Sequence, residues 1–522
     1  MTELLSAAQM RAIEQAAIDR GEVTGPELME RAGRGVVDAV FAEWPELTEG
    51  QRRAVVLCGP GNNGGDGFVV ARLLRERGWE VVVYLYGIAE KLPPDAKANC
   101  RRWAETGKVC AWDDAGIGEL LGSLANDLVV DALLGTGATR SMPDDMRCTR
   151  RGFTRWVHGQ TDQKYVAVDL PSGICSDSGK NLGGALAANL TVTFHRPKIG
   201  HYSSPDPLHG GGSAWCGKVV VADLGLTHSQ PTTAVELVSK RVFHPGIDKF
   251  SGDHKYGHGH VLALSGPSGH GGAARLAARG ALRIGAGLVT LACPPDALGE
   301  HAAQLNAIMV RPFVGADGLA DILADERISA FVMGPGLGLS GATREKVAVA
   351  LSARRKCVLD ADALSIFENN DEDLFALCHQ DVVLTPHAGE FRRLFPDIAE
   401  SLAETPIRGP ACSKVDATRA AAARAGCVVL FKGADTVIAS PDGRCSINSA
   451  HYERSAPWLA TAGSGDVLAG FIAGLMARGF APMRAADSAA WLHVECARSF
   501  GPGLIAEDLP EELPKVFRML GL

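Results

Sequence analysis

Short apolar segments recur along the whole chain, and most of them end in a cluster of glycines and polar residues. Arg53–Cys58 leads into Gly59–Gly67 in the first half, and Val261–Leu264 leads into Ser265–Gly272 in the second. Segments with apolar residues at helical spacing lie between them. This alternation predicts an α/β fold, with sheets covered by helices on both faces. Ligands bind such sheets outside the carboxyl ends of the strands, so the polar clusters are the candidate functional sites.

The chain has 522 residues, which is more than one ordinary domain holds. Its 61 glycines and 46% hydrophobic residues are typical of α/β enzymes and atypical of disordered chains. Thr227–Val235, between the two sets of strands, has no periodic pattern. We therefore predict a first domain over residues 1–226, a linker over 227–240 and a second domain over 241–522.

Charge and cysteine usage narrow the class of protein. A net charge of −8 is mild for this length and argues against a nucleic-acid or membrane-surface partner. No apolar stretch is long enough to span a membrane, and the N-terminus lacks the features of a signal peptide. The 13 cysteines are scattered without zinc-ligand spacing, which is typical of reduced thiols. We expect a cytoplasmic protein.

The first glycine cluster, Gly59–Gly67, satisfies the GxGxxG pattern between a strand and a helix. A dinucleotide-binding domain would have an acidic residue at the end of the next strand, but Glu80–Tyr86 ends without one. Asn62, Asn63 and Asp66 are more polar than a pyrophosphate loop needs, and suit a monovalent cation or a ribose-bearing ligand. The alternative is a turn that uses Asn and Gly only for positive φ.

Two further strands of the first half end in similar signals. Asp127–Leu134 contains Asp131 and runs into Gly135–Ser141, while Tyr165–Leu170 has Asp169 near its end. A lone buried charge is costly, so Asp131 implies a bound cation or a hydrogen-bonded partner. Asp169 is predicted to be functional, although it could simply start a turn. Three strand ends are therefore predicted to share one crevice.

In the second half, Gly463-Ser464-Gly465 precedes an apolar helical pattern, with Asp466 in its first turn. Backbone amides at such a helix start suit an anion. A carboxylate beside them would repel a phosphate, but it could serve as a base for a substrate hydroxyl. The alternative is an ordinary helix start whose aspartate complements the helix dipole.

Other strands of the second half also end in glycines or polar groups, as expected for one ligand crevice. His387 is as consistent with a structural histidine as with a ligand contact. The remaining clusters are Gly334–Gly338, Asp360–Asp362, Glu390 and Lys432–Thr436.

Taken in order, these motifs resemble a known family. Gly59–Gly67 with Asp169–Gly173 resembles the NAD(P)H-hydrate epimerase domain. A second set resembles the ribokinase-like NAD(P)H-hydrate dehydratase domain: His254–Tyr256, Gly285–Val289, Gly334–Gly336, Asp360–Asp362, Thr385–Glu390, Lys432–Thr436 and Gly463–Asp466. The resemblance implies an N-terminal Rossmann-like three-layer αβα domain followed by a C-terminal ribokinase-like αβα domain.

The same resemblance implies a repair function. The first domain would interconvert the R and S epimers of hydrated NADH or NADPH (NADHX and NADPHX). The second would dehydrate the S form at the expense of ADP, giving AMP and phosphate. Potassium in the first domain, and Mg²⁺ with ADP in the second, are the implied cofactors. A homo-oligomer is also expected.

Site residues follow from the motifs by resemblance. Asp169 would transfer the proton during epimerisation, and Asp466 would deprotonate the hydroxyl that is phosphorylated. The first hydrate site would comprise Asn62, Asn63, Gly64, Gly65, Asp66, Gly135, Thr136, Gly137, Ala138, Thr139, Arg140, Ser141 and Asp169. Potassium would be held by Asn63, Asp131 and Ser172. The second hydrate site would comprise Ala273, Gly336, His387 and Asp466. ADP would be held by Lys432, Gly433, Ala434, Asp435, Thr436, Gly463, Ser464 and Gly465.

One residue departs from the family pattern, and two other functions are compatible with the motifs. Arg31 stands in Leu28–Gly33 where the family has asparagine. A ribokinase-type small-molecule kinase with a regulatory first domain would prefer ATP. A cofactor-sensing protein would bind ligands in both crevices without turnover.

Overall fold

The computed structural model describes residues 2–113, 116–117, 126–138, 141–143, 146, 162–204, 212–227, 234–240, 246–249, 254–368, 370–404 and 409–522. The chain divides into two compact units, and each is described by itself. The N-terminal unit comprises Glu3–Ala234 and Glu404–Ser413. The C-terminal unit comprises Thr2, Val235–Ala403 and Lys414–Leu522.

A parallel sheet of seven described strands forms the centre of the N-terminal unit. The first strand of the chain, β1 (Thr2–Leu4), is not one of these seven. The seven are β2 (Arg53–Cys58), β3 (Glu80–Leu85), β4 (Val109–Ala111), β5 (Leu128–Ala132), β6 (Lys164–Val168), β7 (Leu190–Phe194) and β8 (Lys218–Ala222). Their order is β4-β3-β2-β5-β6-β7-β8, and every neighbouring pair is parallel. Strand order reverses between β2 and β5, which is where doubly wound sheets open a ligand crevice.

Both faces of this sheet are buried, as a three-layer arrangement requires. Val56 and Cys58 of β2 pack into one apolar core, whereas Val55 and Leu57 pack into another. The described helices of this unit are Ala7–Asp19, Gly25–Glu43, Asn62–Glu76, Pro94–Ala104, Ile199–Tyr202 and Gly212–Trp215.

The C-terminal unit contains a larger, mostly parallel sheet. Its strands are β9 (Val235–Leu237), β10 (His260–Leu264), β11 (Leu288–Cys293), β12 (Met309–Pro312), β13 (Ala330–Met333), β14 (Lys356–Leu359), β15 (Val382–Leu384), β16 (Val428–Phe431), β17 (Asp435–Ala439) and β18 (Cys445–Ser449). They lie in the order β9-β18-β17-β16-β15-β14-β13-β10-β11-β12. β17 is antiparallel to both neighbours because a tight hairpin joins it to each of them.

One helix of this unit, Ser464–Ala477, is almost wholly apolar and buried from Val467 onward. It packs closely on Gly272–Arg283, since a β-carbon on Gly470 would lie 2.1 Å from the Ala277 carbonyl oxygen. The other helices are Leu298–Gln304, Gly315–Leu323, Gly341–Ser352, Asp362–Ser365, Asp371–Phe375, Ala388–Leu394, Pro396–Ala403, Lys414–Ala425, Pro482–Phe500 and Asp508–Leu520.

The structure differs from the sequence-based expectation in a few places. Segment 195–213 is rich in Gly, Pro and His and has no periodic pattern, which predicts a loop, yet it contains the short helix Ile199–Tyr202 and the start of Gly212–Trp215. Val235–Leu237, inside the predicted linker 227–240, forms β9. The helix after β2 begins at Asn62, so much of the expected glycine turn is already helical. Across the described ranges, no helix has the length and apolarity needed to cross a bilayer.

Candidate active sites

Asp131, near the end of β5, is fixed by Ser172 from the loop after β6. The Ser172 hydroxyl donates to Asp131 Oδ1 at 2.6 Å, and the Ser172 amide donates to Oδ2 at 2.8 Å. Burial raises the pKa of Asp131 to about 6, although the Ser172 hydrogen bonds act in the opposite direction. The partner expected for this buried carboxyl is therefore a neighbouring serine.

Asn63 lies beside the same strand end, in the first turn of Asn62–Glu76. A β-carbon on Gly135 would lie 2.7 Å from Asn63 Oδ1, so a larger residue there would displace the Asn63 side chain. Asn63 Nδ2 is buried and has no hydrogen-bond partner among the described residues. Because amide oxygen and nitrogen are interchangeable by a flip, a carbonyl oxygen can occupy that position. Amide, carboxylate and hydroxyl oxygens such as those of Asn63, Asp131 and Ser172 are ligand types that suit a monovalent cation.

Asp169, directly after β6, adopts a left-handed conformation with φ of 65°. Its Oδ1 accepts hydrogen bonds from Thr193 Oγ1 at 2.8 Å and Lys198 Nζ at 2.9 Å. Burial alone would raise the pKa of Asp169, but the Lys198 ammonium outweighs burial, and the pKa is lowered. This carboxyl is therefore held as an anion.

Two charged residues of this site carry no signal in the sequence. Lys198 lies in the segment expected to be loop, and Glu14 lies on the helix Ala7–Asp19. Burial and the charge of Asp169 raise the pKa of both Glu14 and Asp66. The spacing of Glu14 on an amphipathic helix gave no sign that it faces a site.

The other residues predicted for this site are placed as follows. Gly64 and Gly65 are buried, and Asn62 is exposed. Gly135, Thr136, Gly137, Ala138 and Ser141 follow β5, while Thr139 and Arg140 lie outside the described residues. Arg31 donates from Nη1 to the Leu224 carbonyl oxygen at 2.8 Å.

In the C-terminal unit, the start of Ser464–Ala477 matches the predicted anion cradle. Gly463 caps this helix at φ of 87°, a conformation that favours glycine. His493, buried on Pro482–Phe500, contacts the Ser464 carbonyl oxygen through Nε2 at 2.8 Å. Burial lowers the pKa of His493 to about 4, so the ring is neutral and Nε2–H is the donor. The hydrogen bond from His493 thus fixes the position of the helix start.

Lys432, directly after β16, brings several charged groups together. Its Nζ lies 2.6 Å from Asp360 Oδ1 and 3.8 Å from Glu390 Oε2. Burial would lower the pKa of Lys432, but the carboxylates of Asp360 and Glu390 outweigh it and raise this pKa. A β-carbon on Gly465 would lie 3.4 Å from the same Nζ, so the ammonium stands beside the helix start.

Asp466 lies in the first turn of that helix, next to this cluster. Burial raises its pKa to about 7, and Asp360 and Glu390 act in the same direction while Lys432 opposes them. A carboxyl that titrates near neutral pH is well matched to general-base chemistry.

Two adjoining clefts surround these groups. One has a volume of about 480 Å³ and is lined by Asp360, Ala361, His387, Glu390, Lys432, Gly433, Gly463, Ser464, Gly465 and Asp466. The other, of about 460 Å³, is mostly apolar and has Leu459, Leu468 and Val494 among its lining residues. Four residues line both clefts: Lys432, Gly433, Ser464 and Gly465. A ligand with a charged end and an apolar body fits this arrangement.

The remaining predicted residues of this unit differ in their surroundings. Ala434 and Thr436 line the apolar cleft, but Asp435 is buried and pairs with Lys414 at 2.9 Å. His387 caps Ala388–Leu394, its Nδ1 accepting from the Gly389 amide at 2.9 Å. Gly336 and Ala273 lie on separate segments: Gly336 follows β13, and Ala273 is in the first turn of Gly272–Arg283.

Comparison with known proteins agrees with this geometry. The family profile described as NAD(P)H-hydrate dehydratase matches residues 261–515, and the profile described as YjeF-related protein N-terminus matches residues 25–200. The bifunctional NAD(P)H-hydrate repair enzyme Nnr of Coxiella burnetii is 34% identical over 527 residues, covering 98% of both chains. Its namesake from Moorella thermoacetica is 35% identical over 548 residues, covering 99% of this chain and 97% of that protein.

A solved structure is similar over about half of the chain. The ADP/ATP-dependent NAD(P)H-hydrate dehydratase of Bacillus subtilis, co-crystallised with ATP and Mg²⁺, has 27% identity and a TM-score of 0.45. The match covers 55% of this chain and 99% of that one.

The two α/β units, each with polar groups gathered at its strand ends, define a two-site α/β enzyme. Full-length similarity then identifies which one: the chain belongs to the family of bifunctional NAD(P)H-hydrate repair enzymes. The predicted family, fold class and enzyme class are thereby confirmed.

Proposed function

We propose that the chain repairs hydrated NADH and NADPH through two activities, one in each unit. The N-terminal unit interconverts the R and S epimers, and the C-terminal unit dehydrates the S epimer with ADP, giving AMP and phosphate. The observation that carries the proposal is the position of Asp466. It is a base titrating near pH 7, beside a helix-start anion cradle and the Lys432 ammonium.

Dehydration needs a better leaving group than hydroxide. Asp466 takes the proton of the substrate hydroxyl, so the oxygen can attack the terminal phosphoryl group of ADP. The amides of Gly463–Gly465 and the Lys432 ammonium stabilise the charge that develops on that group. Phosphate then leaves in place of hydroxide while the neighbouring ring carbon loses a proton to solvent, and the ring double bond is restored.

The apolar cleft holds the rest of the nucleotide. Lys432–Thr436 and the helix start form its polar end, and Leu468 lines its apolar part. Asp435 supports the segment Lys432–Thr436 through its buried ion pair with Lys414. Ala273, Gly336 and His387 are proposed to contact the hydrate at the other cleft.

Mg²⁺ entering with ADP would be held by Asp360 and Glu390, because Mg²⁺ is usually bound by one or two carboxylates together with substrate phosphates. Potassium in the N-terminal unit would be held by Asn63, Asp131 and Ser172, where the orphaned Asn63 amide fits an oxygen-ligated ion. These ions would supply fixed positive charge next to the bound substrates.

We propose Asp169 as the proton-transfer residue of epimerisation, with Asn62–Asp66 and Gly135–Ser141 binding the hydrate. The enzyme is also proposed to act in the cytoplasm, since its cysteines are scattered along the sequence without the spacing of a disulfide or zinc framework. We further propose, from the family alone, that it forms a homo-oligomer.

The test is recovery of NADH absorbance from a mixture of R and S NADH hydrate with ADP. The intact chain should restore the NADH completely. Asp169→Asn should stop near the S fraction, apart from spontaneous epimerisation, and Asp466→Asn should restore none. Failure of the intact chain with both ADP and ATP would contradict the proposal. Phosphorylation of a vitamin or sugar alcohol with ATP would instead support the small-molecule kinase.

A further inference from the structure

The two carboxylate oxygens of Asp169 have different surroundings. Oδ1 accepts from Thr193 and Lys198, whereas no described residue donates to Oδ2. The backbone of Asp169 is fixed as well: its amide donates to the Val192 carbonyl oxygen, and its carbonyl oxygen accepts from His201 Nε2 at 2.8 Å. One oxygen is therefore anchored while the other is left for a ligand.

The ammonium of Lys198 is buried and surrounded by hydrogen-bond acceptors of the protein. Its side chain is only 1% exposed, and Nζ lies within 3.2 Å of the Phe194 and Arg196 carbonyl oxygens in addition to Asp169 and Thr193. An ammonium has three protons, so these acceptors use its full capacity. Lys198 cannot reach a substrate, and any contribution to the reaction passes through Asp169.

The histidine three residues later completes this arrangement. The Lys198 amide donates to His201 Nδ1 at 2.9 Å, so the proton of the neutral ring lies on Nε2 and is donated to the Asp169 carbonyl oxygen. Burial, aided by the charge of Lys198, lowers the pKa of His201 to about 4, so the ring stays neutral. Lys198 and His201 thus hold the side chain and the backbone of the same residue.

Charged groups from other elements also face Asp169. Glu14 comes from Ala7–Asp19 and Asp66 from the first turn of Asn62–Glu76. Burial and the charge of Asp169 raise the pKa of each, so ionisation of Asp169 disfavours ionisation of Glu14 and Asp66. The Lys198 ammonium favours ionisation of Asp169, because among the described residues Asp169 is the carboxylate that its Nζ contacts, at 2.9 Å.

We propose that Lys198 is the positioning residue of epimerisation, which anchors Asp169 Oδ1, keeps Asp169 ionised and so leaves Oδ2 to take the proton of the substrate hydroxyl. This inference rests on the proposed epimerase function of the unit. Hydration of the nicotinamide ring next to its nitrogen places the hydroxyl on a carbon bonded to that nitrogen.

The bond changes balance without a further reactant. Asp169 takes the hydroxyl proton, the C–O bond becomes C=O, and the C–N bond breaks with its electron pair passing to nitrogen. After rotation, nitrogen attacks the opposite face of the carbonyl, and Asp169 returns the proton to oxygen. The product is the other epimer, and Asp169 is ready for another cycle.

The experiment follows R-to-S conversion of NADH hydrate by chromatography without ADP, so the second site is idle. Lys198→Met should lower kcat about 100-fold with little change in KM, as expected for a misplaced general base. It should also move the acid limb of the pH profile to higher pH, since Asp169 loses its cation. Lys198→Arg keeps the positive charge, so its acid limb should stay near that of the parent even where the larger guanidinium lowers kcat.

Controls separate a positioning role from a structural one. Lys218→Met removes an exposed lysine from the same unit and should leave epimerisation unchanged. Dehydration of the S epimer with ADP, measured on every variant, should also be unchanged. If Lys198→Met folds poorly by protease resistance, Lys198→Gln provides a second uncharged variant, with the same expected shift of the acid limb.

A failure of the Lys198 proposal can be distinguished from a failure of the proposed epimerase function. If the parent chain does not interconvert the epimers, the proposed function is wrong. If it does, and the uncharged variants keep the parental acid limb, whether kcat falls or not, Lys198 is not the positioning residue.

Discussion

Lys432 Nζ lies 2.6 Å from Asp360 Oδ1, which joins the end of β16 to the end of β14. The same ammonium stands next to Gly465 in the first turn of Ser464–Ala477. Three separate segments therefore contribute to one charged centre. Because the carboxyl ends of parallel strands meet at the same edge, such a centre arises from chain topology and not from nearness in sequence.

The two activities should respond differently to pH. The pKa of Asp466 is raised to about 7, so its basic form accumulates as pH rises, and dehydration should increase through about pH 7. The pKa of Asp169 is lowered, so its basic form persists into acid, and epimerisation should be retained at pH 6. Initial rates of both reactions on one preparation test this. Parallel pH profiles would contradict the two assignments.

Two substitutions should shift the dehydration profile in opposite directions. Asp362→Asn removes a negative charge that raises the pKa of Asp466 and leaves the proposed Mg²⁺ ligands in place, so the midpoint should fall. Lys432→Met removes the positive charge that lowers this pKa, so the midpoint should rise. Both variants will be slower than the parent, and the midpoint of the residual rate is what is measured. A shift of both midpoints in one direction would disprove the electrostatic account.

Lys414 and Asp435 form a buried ion pair beneath the proposed nucleotide loop. The side chains are 6% and 2% exposed, and Lys414 also lies over the Phe431 ring. Lys414→Met should cost about 3–5 kcal/mol, because it leaves Asp435 buried without its cation. Lys414→Met/Asp435→Asn should recover part of that loss. Urea unfolding monitored by dehydration activity reports on this unit.

A second readout concerns ADP. In the double variant the loop loses its anchor, so the KM for ADP should rise while R-to-S epimerisation stays unchanged. An unaltered KM would show that the ion pair stabilises the unit without shaping the nucleotide site.

The sequence predicted the strand ends well because they are local signals. The apolar run Arg53–Cys58 forms β2 with the expected bounds, and Asp466 lies in the first turn of its helix as expected. The short apolar run of β2 stops at a glycine. That pattern is visible without tertiary information.

The supporting charges were not predictable in the same way. Lys198 acts on Asp169, 29 residues earlier, and Lys414 on Asp435, 21 residues later. Glu14 is one of several polar positions on an amphipathic helix. Each becomes significant only when another segment packs against it, so neither periodicity nor spacing identifies these residues.

The packing of Ser464–Ala477 against Gly272–Arg283 can be tested with two glycines in helices. A β-carbon on Gly470 would lie 2.1 Å from the Ala277 carbonyl oxygen, so Gly470→Ala should push the helices apart and cost about 1–3 kcal/mol. Gly299 lies in the helix Leu298–Gln304 with no neighbour within 4 Å of such a carbon. Gly299→Ala should therefore stabilise the C-terminal unit by about 0.5–1 kcal/mol, since only the helix preference changes.

The measurement for both glycine variants is the urea midpoint of dehydration activity. Gly470→Ala should also slow dehydration below the unfolding range, because displacement of this helix moves Asp466 relative to Lys432. Equal midpoints for both variants would show that the helix contact is not tight enough to exclude a methyl group.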